Sequence, residues 1–196
     1  MTTPRRRYPR PIACEGDPAD VDLMTAADEE KVLEFARAVP PHDLLFMRRD
    51  ITQPKVVAAW IRGIERGSIV SLLARRTGRV VGCATVVRDE LSWSHHVGDL
   101  RVIVASEVRG RGLGRALIQE CFAMALSLGL EKLTAHATAD QQGAITVFET
   151  IGFRVEALLR DHVRDRSGAA HDILVLSHDV ARMQAQMQAY GLAKAF

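Results

Sequence analysis

The residues best suited to chemistry lie in Val102-Ile103-Val104-Ala105-Ser106-Glu107-Val108-Arg109-Gly110-Arg111-Gly112-Leu113-Gly114-Arg115. An apolar β-branched run gives way to alternating arginine and glycine, and a helical apolar stripe follows. Glycine admits positive φ and a close backbone approach to a ligand. The first amides of a helix lack intrahelical acceptors and sit at the positive end of its dipole. Arg109, Arg111 and Arg115 add charge-assisted donors. The expected ligand is a phosphate or pyrophosphate. A P-loop would need Gly-Lys followed by Ser or Thr, which is absent, and G-x-G-x-G is not the G-x-G-x-x-G dinucleotide fingerprint. An RG-rich RNA tract belongs in disordered sequence rather than between a strand and a helix. On spacing alone, a plain Gly-rich β–α turn with exposed arginines stays open.

Such a turn must be positioned by a strand before it and a helix after it. Val97–Ala105 reads as that strand, with Leu100, Val102 and Val104 on one face. Leu113, Ala116, Leu117, Cys121, Met124, Ala125 and Leu128 form one apolar helical stripe closed by Gly129. Upstream, the pattern predicts a strand over Ala19–Thr25 and a helix over Ala27–Val39. Thr25 and Asp28 stand in capping-box spacing there. Residues 41–53 read as irregular, and a second helix runs from Pro54 to Gly67. A hairpin of Ser68–Arg75 and Arg79–Val87 turns at Thr77-Gly78. Downstream, Leu130–Ala137 reads as a strand, Gln141–Thr150 as a helix, and Phe153–Leu159 and His171–Ser177 as strands around Asp165-Arg166-Ser167-Gly168. Arg160–Arg166 reads as a solvated hairpin. A terminal helix is expected from Val180, Met183, Met187 and Tyr190. The order argues for a mixed α/β layer fold.

The 196 residues suffice for one domain. We expect a Pro/Arg-rich solvated lead over 1–18, a single domain over 19–178 and an amphipathic helix over 179–196. A net charge of +2 gives no global reason to expect nucleic acid as a partner. No apolar run reaches membrane-spanning length, so no membrane partner is expected. Cys14, Cys83 and Cys121 include no Cys-x-x-Cys, and His95-His96 has no Cys or carboxylate neighbours. No disulfide framework or metal is therefore expected, and a reducing cytoplasm fits. Cys83 and Cys121 read as core residues.

Arg109-x-x-Gly112-x-Gly114 resembles the R/Q-x-x-G-x-G/A signature of the GCN5-related N-acetyltransferase (GNAT) superfamily. Ala144-x-x-x-Phe148-x-x-x-Gly152-Phe153 resembles its second block, A-x-x-x-Y-x-x-x-G-F, at the expected distance downstream. The resemblance covers most of the chain. It implies a mixed, mostly antiparallel sheet with helices on both faces and a V-shaped split between two central parallel strands, here Val97–Ala105 and Leu130–Ala137. It also implies acetyl-CoA as co-substrate and a primary-amine acceptor, either a small amine or a protein lysine. Separately, the Met-rich terminal helix has either the sheet or a second subunit to pack against, so a homodimer is one possible assembly.

The resemblance assigns roles residue by residue. Backbone of Val102, Ile103 and Val104 would meet the pantetheine arm, and Arg109, Gly110, Arg111, Gly112, Leu113, Gly114 and Arg115 the pyrophosphate. Gln141 stands where relatives have Asn, on the pantetheine side. Asp99 falls near the family's usual Glu and is the first general-base candidate, with Glu90 and His96 as alternates. His136 follows a buried strand and could line the cleft. The departure is Phe148, where relatives have a Tyr that protonates the departing thiolate. A thiol of ordinary pKa about 8.5 leaves tolerably as thiolate, so a slowed enzyme is expected. Phe148 also supports the competing reading, a non-catalytic acyl-CoA-binding sensor.

Overall fold

Apolar runs punctuated by turn residues supply one mixed sheet, with helical stripes packed on both of its faces. The computed structural model describes residues 6–182. In chain order the elements are β1 (Arg10–Ile12), β2 (Ala19–Leu23), α1 (Glu29–Ala38), α2 (Pro54–Glu65), β3 (Ile69–Arg76), β4 (Arg79–Val87), β5 (Val97–Val104), α3 (Leu113–Ser127), β6 (Lys132–Thr138), α4 (Gln142–Ile151), β7 (Arg154–Arg164) and β8 (Ala170–Asp179). The eight strands lie in the order β1-β2-β3-β4-β5-β6-β8-β7. Among the described residues, only β5 and β6 pair in parallel.

Local chemistry sets the boundaries. A 3-10 turn, Ala26–Asp28, leads into α1, and the Thr25 amide donates to Asp28 Oδ2 at 2.9 Å in the expected capping box. The same carboxylate receives Arg75 Nη2 at 2.6 Å, tying the helix start to β3. Pro54 opens α2, where a missing N–H costs nothing. Thr77 and Gly78 both take positive φ, +48° and +80°, the two-residue turn that matches strand twist.

Pairing parity assigns the faces. Gly82, Ala84 and Val86 lie opposite Val104, Val102 and Leu100, and a Cβ on Gly82 would meet Leu117 and Leu113 of α3. The face carrying Leu100, Val102 and Val104 is therefore covered by α3. Cys83, Thr85 and Val87 lie opposite Ile103, Arg101 and Asp99. Thr85 belongs to a buried chain in which Trp60 Nε1 of α2 donates to Ser71 Oγ at 2.9 Å and Ser71 meets Thr85 Oγ1 at 3.0 Å. Asp99 and Arg101 thus share the α2 side.

Three expectations change. The lead forms a strand: β1 pairs with β2, Ile12 is buried, and Arg6, Tyr8 (2.9 Å) and Arg10 (3.7 Å) converge on Glu120. Glu120 is a carboxylate buried in α3, and a buried carboxylate needs cationic or donor partners; the basic lead supplies them. Next, β7 runs to Arg164, five residues past Leu159, because Val163 and Arg164 re-pair with β8 after an irregularity at Asp161 (φ +50°). Finally, α3 buries Phe122, Ile118 and Glu120 as well as the expected stripe, since the sheet covers one side and the aromatics Phe153 and His178 another. The terminal helix expected over 179–196 falls, beyond Arg182, outside the described residues.

Candidate active site

Between β5 and β6 the ladder stops early. Val97, Gly98, Asp99 and Leu100 pair with Lys132, Leu133, Thr134 and Ala135, and there the pairing ends. Both strands continue, Arg101–Val104 still bound to β4 and His136–Thr138 still bound to β8. Each keeps its outer neighbour and loses its inner one. Apart from the Val104 carbonyl, which accepts the Arg109 side chain, backbone donors and acceptors along that inner edge have no strand partner, and such groups are strong and obligatory hydrogen-bonders. The V-shaped split expected between the two parallel strands is this opening.

At the end of β5 the chain passes through a 3-10 turn, Ser106–Val108, into the glycine-rich turn. Gly110 and Gly112 adopt φ of +72° and +81°, and Gly112 caps α3. The helix's first internal bond runs from the Ala116 amide to the Gly112 carbonyl at 3.0 Å. The amides of Leu113, Gly114 and Arg115 consequently have no intrahelical acceptor. Gly114 is helical rather than left-handed, and a Cβ there would make ordinary contact with Val104. Arg111 and Arg115 are exposed, whereas Leu113 is buried and offers only its backbone. Val102 and Val104 are half-buried and Ile103 is buried.

Arg109 is held in place. Its Nε donates to the Val104 carbonyl at 3.1 Å, and its Nη2 to Asp43 Oδ2 at 2.8 Å. Gln141, the N-cap of α4, donates its side-chain amide to Asp43 Oδ1 at 3.4 Å. One carboxylate from the α1–α2 linker therefore joins the two residues expected on either side of the coenzyme. Sequence reading missed Asp43, which is 66 residues from Arg109; no local pattern marks it.

On the α2 side of the split, Asp99 accepts Arg101 Nε at 3.0 Å and Nη2 at 2.7 Å. His136 Nδ1 stands 3.5 Å from Asp99 Oδ1, and Arg48 Nε 3.9 Å from Oδ2. Burial raises the Asp99 carboxyl, but the His136 contact and the Arg101 charge outweigh it and hold it below the ordinary carboxylate range. Glu90 lies apart, exposed in the β4–β5 loop and paired with Arg88 at 2.7 Å. His96 is in the same loop, its ring 5.7 Å from that of His95. Phe148 is buried, its ring 5.0 Å from Phe153 in an aromatic cluster with Phe122 and His178. Cys83 and Cys121 are buried core residues, and burial pushes the Cys83 thiol up to about 12.

The arrangement combines an open strand edge, beside it a helix start whose first amides have no intrahelical acceptor, and a carboxylate–imidazole pair on one side. Among the described residues, no helix is long and apolar enough to cross a membrane.

Comparison with known proteins agrees with this geometry. The acetyltransferase (GNAT) family model matches residues 44–153, more than half of the chain. Among solved structures, ribosomal-protein-alanine N-acetyltransferase from Brucella melitensis aligns at 24% identity with TM-score 0.71, covering 81% of this chain and 98% of that one. N-acetyltransferase from Staphylococcus aureus Mu50 aligns at 17% identity with TM-score 0.70, covering 82% and 98%. YncA from Salmonella typhimurium, solved with its cofactor acetyl-CoA, aligns at 19% identity with TM-score 0.70, covering 83% and 94%. A search of curated proteins finds no match. The chain belongs to the GNAT family of acetyltransferases and is an acyl-CoA-dependent N-acyltransferase.

Proposed function

We propose that the protein transfers acetyl from acetyl-CoA to a primary amine, either a small amine or a protein lysine, by direct attack. The observation that carries this reading is the β5–β6 split, open from Arg101 to Val104 and ending at a turn whose helix amides are free. Its shape suits a linear amide-bearing arm leading to a pyrophosphate. Bound there, acetyl-CoA supplies an activated thioester carbonyl.

The chain's own residues do the rest. Amides of Arg111–Arg115 receive the pyrophosphate, with Arg109 beside them. Backbone along Val102–Val104 pairs with the pantetheine arm, and one N–H is aimed at the carbonyl oxygen. A donor so placed contributes about 2.7–4 kcal/mol to the transition state. The acceptor amine is mostly protonated at neutral pH and must lose a proton.

Asp99, the first base candidate, works in this reading through His136. A carboxylate held low by burial-defeating partners and two bonds from Arg101 is a weak proton acceptor. With Nδ1 facing Asp99, Nε2 is left to take the proton, and Asp99 orients the ring and balances its charge. Their 3.5 Å separation tightens when the amine arrives.

Phe148 brings no hydroxyl, so the thiolate leaves unprotonated or takes its proton from water. Buried Cys83 and Cys121, whose thiols burial raises, are unsuited to carrying acetyl, which supports direct attack. The test is release of CoA thiol from acetyl-CoA across a panel of small amines and lysine peptides. Thiol release that requires an amine, with acetyl recovered on it, is expected. Acetyl-CoA binding with no release across the panel favours the sensor reading instead.

A further inference from the structure

Next in sequence to Asp43 and Gln141, whose side chains meet beside Arg109, His42 from the α1–α2 linker and Asp140 from the β6–α4 turn come together with His171 from β8. One ligand atom of each lies within 4.8 Å of the others. His42 Nε2 meets Asp140 Oδ2 at 2.9 Å, and the His42 and His171 rings stand edge to face at 5.1 Å. His171 Nε2 is taken from outside by Asp165 Oδ2 at 3.0 Å, which leaves Nδ1 as the nitrogen free to face the other two.

We propose that His42, Asp140 and His171 form a binding site for one divalent transition-metal ion of the zinc class, with Asp165 fixing the His171 ring from behind. Two imidazoles and one carboxylate are a zinc-type donor set with an open fourth position, whereas Mg²⁺ and Ca²⁺ ask for mostly oxygen. Bonds of about 2.0–2.1 Å in a tetrahedron set ligand atoms about 3.4 Å apart. The His42–Asp140 pair opens slightly and His171 swings in, which side-chain rotations achieve. A carboxylate holding the far nitrogen of a ligating histidine is the usual outer partner of such sites. The side chains of His42, Asp140 and His171 are 38%, 60% and 23% exposed, so an ion has a way in.

The ion would clamp the α1–α2 linker to the β7–β8 hairpin. The same two segments line a cavity of about 370 Å³ through Pro41, Asp50, Thr52 and Arg166, with Arg166 Nη2 donating to Thr52 Oγ1 at 3.2 Å. Metal loading therefore fixes the walls of this cavity, and because the site rests on the cluster alone, the proposal stands whether or not the acetyl-transfer reading holds.

The experiment is calorimetric titration of chelator-stripped, full-length protein with Zn²⁺, and with Co²⁺ read by its visible absorption. Expected are one equivalent bound and a Tm rise of about 5–10 °C at a hundred times Kd. His42→Ala, His171→Ala and Asp140→Asn, checked for folding by circular dichroism, should each weaken binding at least about 100-fold. Asp165→Asn should weaken it about 10- to 100-fold. His95→Ala/His96→Ala should leave binding unchanged. Absence of stoichiometric binding, affinity in the His42 or His171 variant equal to that of the unsubstituted protein, or loss of binding in the His95/His96 variant would each overturn the site.

Discussion

Arg109→Ala separates the phosphate end of the coenzyme from the rest. In the free protein Arg109 is bonded to Asp43 and to the Val104 carbonyl, with its side chain 43% exposed. A charge-assisted bond to a phosphate contributes about 1.5–3 kcal/mol. Against this, about 0.2–1 kcal/mol of the Asp43 pair is given up when the guanidinium turns to the ligand. The net is about 0.5–2.8 kcal/mol, or roughly 2- to 100-fold in Kd, and solvent screening of so exposed a group centres the expectation near tenfold. Calorimetric titration with acetyl-CoA and with acetyl-pantetheine, which lacks the pyrophosphate, reads the difference. Acetyl-CoA should weaken about tenfold and acetyl-pantetheine less than about threefold. Asp43→Asn should tighten acetyl-CoA by about 1.4- to 5-fold, because the competing partner is weakened. Equal losses for both ligands in Arg109→Ala would refute the pyrophosphate assignment. Weaker acetyl-CoA binding in Asp43→Asn would show that Asp43 supports Arg109 rather than competing for it.

Three further outcomes follow from the same contacts. Gly112→Ala has open space around its Cβ but a φ of +81°, so it should cost about 1–2 kcal/mol by backbone strain alone, whereas Gly114→Ala should be stability-neutral or better; urea melts distinguish them. His136→Ala should lower kcat by about 10²-fold with the KM for acetyl-CoA unchanged and remove the acidic limb of the pH–rate profile, while Asp99→Asn should lower kcat and leave the limb displaced; a parallel rise in that KM would place both residues in binding instead. His178 is packed against Phe122 and Phe153, and burial lowers its pKa. Its neutral form is the folded one, so stability is complete above the ordinary imidazole pKa of about 6.5 and declines as pH falls below it. His178→Gln should flatten the fall in Tm between pH 6.5 and 5; an unchanged slope would mean that other groups set it.

How much of this was readable in advance depends on how local each feature is. The Thr77-Gly78 hairpin, the helix opened by Pro54, the α3 stripe and the glycine-rich turn are written in neighbouring residues, and all four were expected where they stand. Parity along β5 already placed Asp99 on the face opposite Leu100, but the partner that gives it a role, His136, is fixed by the Asp99–Thr134 register with a strand 33 residues later. The basic lead read as solvated because its partner, Glu120, looks from sequence like a surface carboxylate of an amphipathic helix. Asp43 and the His42–Asp140–His171 cluster left no signal at all, since each is an ordinary residue until the linker, the β6–α4 turn and the hairpin meet.

Amide hydrogen exchange with and without acetyl-CoA tests the central claim most directly. Binding in the split should protect the backbone of residues 101–104 and 112–115 by at least tenfold and leave β1 and β2 unchanged. Acetyl-CoA binding that protects other segments while these two stay as exchangeable as in the free protein would contradict the account.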